Sequence, residues 1–113
     1  MIQNLRAENH LDADGKPAGG IVTAPGLAIE WQNGPLGRDG DRLEPNGAFV
    51  ETVILAARQR IAHYQDGMFA SVENEIALNH LDAALSILNR RTERRERQKV
   101  EGTHFVTDGP MGA

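Results

Sequence analysis

Arginine holds anions well, because its planar guanidinium keeps its charge and presents a rigid fork of N–H donors. Six of the twelve basic residues in this 113-residue chain fall within ten positions: Arg90, Arg91, Arg94, Arg95, Arg97 and Lys99. With Glu93 and Glu96 among them, the stretch carries a net +4. The rest of the chain holds 6 basic and 14 acidic groups, a net −8. Segregation of this kind costs self-repulsion and makes sense where something anionic has to be held. The plainer alternative is a solvated, salt-bridged helix end, since cations suit a helix C-terminus.

Other chemistry finds little support. His10, His63, His80 and His104 show neither metal-ligand spacing nor a paired carboxylate, which argues against metal-assisted hydrolysis. Ser71 reads as a helix cap and Ser86 lies inside a helix, so neither offers a nucleophile on a strained turn. Gly34, Gly37 and Gly40 are spaced by threes, but no Lys-Ser/Thr follows and the strand-to-helix context of a phosphate loop is missing. Without cysteine there is no thiolate or disulfide chemistry. Nothing requires an enzyme, a cofactor or a metal. The polar N-terminus and the lack of an apolar run of about 18 residues predict a soluble, cytoplasmic protein.

The elements that must position the arginines follow from the pattern of the chain. Residues 1–20 read as a flexible arm. Ile21-Val22-Thr23, the turn Pro25-Gly26, and Leu27 to Gln32 read as a β-hairpin with Leu27, Ile29 and Trp31 on one face. A Gly-, Asp- and Pro-rich loop follows. Asn46 is expected to cap a first helix from about 47 to 66, whose apolar stripe is Val50, Val53, Ile54, Ala57, Ile61 and Tyr64. Ser71 is expected to cap a second helix reaching about 99 or 100, with Thr103 to Thr107 returning as a short strand. The fold class is therefore α+β: a small N-terminal β-hairpin, then a long antiparallel two-helix hairpin. The expected divisions are an arm at 1–20, one domain at 21–107 and a disordered tail at 108–113.

The second helix carries two apolar faces at 100° per residue. Leu78, Leu81, Leu85 and Leu88 form one, flanked by Ala77 and Ala84; Ile76, Ala83 and Ile87 lie almost opposite. The first helix and hairpin can cover one face, so a second copy of the chain is the natural cover for the other. This predicts a symmetric homo-oligomer. On the same wheel Arg91 and Arg95, beside Thr92, continue the leucine face, while Arg90, Arg94 and Arg97 turn away from it. Buried at a junction, Arg91 and Arg95 would need an anion, because an unpaired buried charge costs several kcal/mol. The alternative is snorkelling to its edge.

A series of short motifs carries a family resemblance. In order they are Trp31-Gln32-Asn33-Gly34-Pro35, Asn46-Gly47-Ala48-Phe49-Val50-Glu51, Tyr64-Gln65 and Phe69-Ala70-Ser71-Val72-Glu73-Asn74. Ala77-Leu78-Asn79-His80-Leu81, Ala84-Leu85, Arg91-Thr92 and Val100-Glu101-Gly102-Thr103-His104 complete them. Over residues 26–105 the chain resembles the phage Thoeris anti-defence signal sponges, which share a hairpin domain with the phage anti-CBASS sponges. The resemblance implies a non-catalytic trap for cyclic ADP-ribose isomers, acting in the infected host cell. Some members of that family also capture cyclic di- or trinucleotides at separate pockets of a hexamer; a trimer of dimers here would create such pockets, and Arg6 or the region of Phe49 is a candidate contact for them. The family's signal pocket matches Tyr64, Asn74, Arg91 and Arg95, with Phe69 and Thr92 beside them; Tyr64 stands where that family often has Phe.

Asn74 and Arg91 lie 17 residues apart on one helix, roughly 25 Å, so they cannot touch one small ligand within one chain. An antiparallel dimer brings the helix–helix turn of one copy to the arginine end of the other. The rival expectation, from a different class, is a small nucleic-acid-binding or structural phage protein using the arginine-rich end. Against it stand the net charge of −4 and the lack of aromatics within the basic stretch.

Overall fold

A computed structural model describes residues 2–37 and 39–97. The expected strand at 103–107 and the tail at 108–113 lie outside the described residues. The architecture is α+β: β1 (Arg6–Leu11), β2 (Pro17–Ala24), β3 (Leu27–Trp31), one 3₁₀ turn (Asp39–Asp41), α1 (Val50–Gln65) and α2 (Val72–Arg97). These fall into two compact units, a sheet unit up to Phe49 and a helical unit from Val50.

The sheet unit is a three-stranded antiparallel meander of order β1-β2-β3. Pro25-Gly26 joins β2 to β3 between the paired residues Ala24 and Leu27. Proline fixes the first turn position, and Gly26 supplies the φ of 78° needed at the second, the signature of a type II turn. Val22, Ile29 and Trp31 share one face of the sheet and are half-buried.

The expected flexible arm at 1–20 is instead largely β1 and the start of β2. Asp12 organises the turn between them: its Oδ1 accepts from the amides of Asp14 (2.9 Å) and Lys16 (3.0 Å), and its own amide donates to the Lys16 carbonyl (2.9 Å). Every side chain of β1 is exposed, so the strand is held by backbone pairing, which leaves no apolar alternation in the sequence.

Asn46 is not a helix cap. Its Oδ1 accepts from the Asn33 amide (2.8 Å), its Nδ2 donates to the Asn33 carbonyl (3.0 Å), and its backbone amide donates to Gln32 Oε1 (2.9 Å). These bonds close the loop 33–46 at its base, and Leu36 is buried within the unit. Beyond the latch, Ala48 pairs with Trp31 in a parallel bridge, donating to the Glu30 carbonyl (2.7 Å) and accepting from the Gln32 amide (2.9 Å). A Cβ on Gly47 would lie 2.6 Å from the Trp31 carbonyl carbon and oxygen, so only glycine fits there. The motifs around 31–35 and 46–48 are thus the two sides of one clasp.

In the helical unit α1 and α2 pack antiparallel. The packed stripe of α1 is Val53, Ile54, Ile61, Ala62 and Gln65; the expected members Val50, Ala57 and Tyr64 are exposed at its margin. Leu78 is the buried residue of α2, with Leu81, Ala84, Leu85 and Leu88 half-buried along the same side. The opposite face stays open, with Ile76 and Ile87 both 50% exposed. Arg58 joins the helices, donating from Nε (2.5 Å) and Nη2 (3.2 Å) to the Asp82 carboxylate. That pair of hydrogen bonds, with the opposite charge, holds the Asp82 carboxyl below the usual carboxylate range. Among the described residues no helix is long and apolar enough to cross a membrane.

Candidate functional site

All six candidate residues belong to the helical unit, in two groups. The first is built on the turn between α1 and α2. Gln65, the last residue of α1, clamps Ser71 from both sides: its Oε1 accepts from the Ser71 amide and its Nε2 donates to the Ser71 carbonyl, each at 2.9 Å. Ser71 caps α2 as the sequence predicts, its Oγ accepting from the Asn74 amide at 3.0 Å. The Asn74 side chain turns back, its Nδ2 donating to the Phe69 carbonyl at 3.0 Å. One N–H of the Asn74 amide thus holds the turn, which leaves its carbonyl Oδ1 and its second N–H for a ligand.

Around this frame stand the rings. Phe69 is 68% exposed and Tyr64 37%. The two meet at 84°, centroids 6.2 Å apart, a perpendicular corner. His63 lies tilted to Tyr64 at 6.1 Å. Arg60, one turn earlier on α1, sets its guanidinium carbon 4.9 Å from the Tyr64 ring centroid and donates from Nε to the phenolic oxygen at 3.1 Å. Sequence reasoning missed Arg60 and Gln65. The spacing of Arg60 four residues before Tyr64 on a helix was the available signal.

The second group lies at the far end of α2. Arg58 opposite Asp82 sets the antiparallel register, so the first residue of α1, Val50, lies level with about residue 90. The turn carrying Arg91, Thr92 and Arg95 therefore outruns α1. Arg91 and Arg95 are half-buried, Arg90 and Arg97 exposed. Arg91 makes no hydrogen bond or ion pair with the described residues. Thr92 Oγ1 donates back to the Leu88 carbonyl at 3.3 Å, which commits its proton to the helix. Arg94 departs from the wheel: it is half-buried, and its Nε is sealed from water without a partner among the described residues.

The structure brings Tyr64, Phe69 and Asn74 together and Arg91, Thr92 and Arg95 together, and holds the two groups apart by most of a 26-residue helix. Two open concavities, about 380 Å³ beside Arg6, Glu8, Ile21 and Thr23 and about 370 Å³ along Leu55, Gln59 and Asp66, contain none of the six. Among the described residues no cluster of His, Asp or Glu could hold a metal ion.

Comparison with known proteins places these elements. The sequence profile of the Acb2/Tad1 hairpin domain matches residues 25–93, from the β2–β3 turn through most of α2. A curated relative, Thoeris anti-defense 1 of Bacillus phage SBSphiJ7, is 37% identical over 76 residues, which are 67% of this chain and 51% of the relative. The chain thus spans about half the length of that relative. With most of its length matched by the profile, and with that relative 37% identical over two thirds of it, the chain belongs to the Acb2/Tad1 hairpin-domain family.

Proposed function

We propose that the protein binds cyclic nucleotide immune signals, cyclic ADP-ribose isomers foremost, and sequesters them without cleavage, so that a phage escapes Thoeris defence. The observation that carries this reading is the split site. Stacking rings and an amide sit at one end of α2, two half-buried guanidiniums at the other, each useless alone for a nucleotide. An antiparallel second copy completes both, and two-fold symmetry makes two equivalent pockets. The open Ile76 and Ile87 face supports such an assembly, since a helix apolar on two sides needs cover on both.

In the completed pocket Tyr64 stacks on the adenine and Asn74 Oδ1 accepts from a base or ribose edge. Arg91 and Arg95 take the pyrophosphate through charge-assisted bonds. Phe69 walls the base, and Thr92 lines the anion end. Nothing in this set is a poised nucleophile or general base, which favours capture over hydrolysis.

The test is release after binding. Protein saturated with a cyclic ADP-ribose isomer is stripped of free ligand and heated, and the supernatant is analysed. Recovery of unchanged ligand supports the reading; recovery of a cleaved product refutes it. Arg91→Ala and Arg95→Ala should each weaken binding by about 10- to 150-fold, the value of one charge-assisted bond, with oligomeric mass unchanged. Tight binding by both variants sinks the assignment. A shift of nonspecific DNA in a gel at moderate salt favours the nucleic-acid rival. Additive binding of cyclic di- or trinucleotides, insensitive to Arg95→Ala, places a second ligand class elsewhere, with the concavity beside Arg6 the first place to look.

A further inference from the structure

We infer that Arg60 is a positioning residue of the signal pocket: it pins Tyr64 through its phenolic oxygen and stands at the hydroxyl end of one face of the ring, so that a purine stacks more readily on the other. The inference rests on the sequestration reading, in which Tyr64 carries the base.

The geometry is two-point. The guanidinium stands 4.9 Å from the ring centroid, within cation–π range, while Nε–H reaches the phenolic oxygen at 3.1 Å. One contact fixes which face is covered; the other fixes the ring's tilt and its reach along the helix. Burial against α2 does not do this, because Arg60 and Tyr64 both lie at or beyond the margin of the α1 stripe that meets α2. An unpinned tyrosine there samples several rotamers, and binding a base would have to freeze them. The pair removes that loss beforehand. It also makes phenylalanine a poor substitute at position 64, since a ring without the oxygen keeps the cation–π contact but loses the bond that sets its tilt. With Phe69 perpendicular at 84°, the free face of Tyr64 and the Phe69 ring form a corner suited to a planar heterocycle. A pyrophosphate without a base gains nothing from this corner, so the role is specific to the nucleobase end of the ligand.

A double-mutant cycle tests this, with cyclic ADP-ribose as probe and inorganic pyrophosphate as the base-free control, both by calorimetry. Arg60→Ala should weaken cyclic ADP-ribose binding about tenfold, or about 1.4 kcal/mol, and leave pyrophosphate binding unchanged. Arg60→Lys, which keeps the charge over the ring, should recover part of the loss. In a Tyr64→Phe background the further loss from Arg60→Ala should shrink. Tyr64 is the chain's one tyrosine, so selective ring labelling gives one NMR spin system. Its signals should move in ligand-free Arg60→Ala and respond less in Arg60→Lys. Unchanged ring signals, or wild-type affinity in Arg60→Ala while the wild type binds cyclic ADP-ribose, overturn the inference alone. Equal weakening of pyrophosphate binding also overturns it, since Arg60 would then act as an anion contact. Failure of the wild type to bind cyclic ADP-ribose overturns the sequestration reading and takes the base-positioning role with it.

Discussion

Gln65 is the residue on which the order of the α1–α2 turn depends most directly, and Gln65→Ala gives the sharpest stability test. The wild-type amide makes two bonds of 2.9 Å to the amide and carbonyl of Ser71, both partly buried. Removing it loses about 1 kcal/mol per bond and strands two backbone groups that water reaches poorly, so the cost is about 2 kcal/mol. For a chain of this size that lowers Tm by about 8 °C. With a urea dependence of about 1.5 kcal/mol per M, the midpoint falls by about 1.3 M. Urea denaturation at fixed protein concentration reads this directly; the concentration is fixed because assembly adds to apparent stability. Gln59→Ala is the control: the same change on the same helix, at an exposed residue. Amide exchange gives a local readout, since the Ser71 amide loses its acceptor and the Asn74 amide depends on Ser71 staying in place as cap. A loss within about 0.5 kcal/mol of the Gln59→Ala value, or unchanged protection at Ser71, refutes the clamp as the source of the turn's order.

Two further outcomes follow from the same physics. Gly47→Ala drives a Cβ into the Trp31 carbonyl and to 2.8 Å from the Gln32 amide, backbone atoms that cannot rotate away. A destabilisation of about 1–3 kcal/mol is expected, with a change in the fluorescence of Trp31, the chain's one tryptophan; wild-type stability and emission would refute the clasp. Asp82→Asn tests the tie between the helices. The Asp82 carboxyl is held low by hydrogen bonds from Arg58, with charge attraction adding to them. Its contribution is therefore complete above the unfolded pKa of about 4 and is lost as pH falls through the lower folded value. The variant should melt slightly below wild type at pH 7, and the gap should close in acid; a gap that persists at pH 2 contradicts the ion pair as its cause. The effect is small because both side chains are well exposed.

How much of this was legible in the sequence depended on whether a residue's role was periodic or relational. The α2 leucines, the Ser71 cap and the Pro25-Gly26 turn follow local rules, and each stands where those rules put it. β1 obeys no such rule: Arg6 to Leu11 has no alternating apolar face, and only its pairing with β2 makes it a strand. Asn46 looked like a cap because caps and clasps want the same residue, a short side chain offering both donor and acceptor. What separates the two uses is Asn33, thirteen residues away, which no local pattern connects to it. The wheel assigned Arg91 and Arg95 to the half-buried side correctly and misjudged Arg94, which is half-buried too, with its Nε out of water. A helical wheel ranks directions about an axis and says nothing of a long side chain that folds back along it.

The separation of the two groups of candidate residues is expressed in the same terms by the sequence and by the structure. Seventeen residues of continuous helix cannot shorten, so the distance from Asn74 to Arg91 is fixed near 25 Å by backbone geometry alone. Any small ligand that needs both ends must therefore be offered them by two chains, or by one chain using only half its chemistry. The details of each half favour the first case. At the turn, Gln65, Ser71 and Asn74 use backbone-directed bonds to order a segment whose two rings stay exposed, an arrangement that costs apolar burial. At the other end, α2 continues past the start of α1, carrying Arg91 and Arg95 on the side its leucines use for packing. Each end is shaped as though the other were close by, which is what the proposed antiparallel pair of copies would supply.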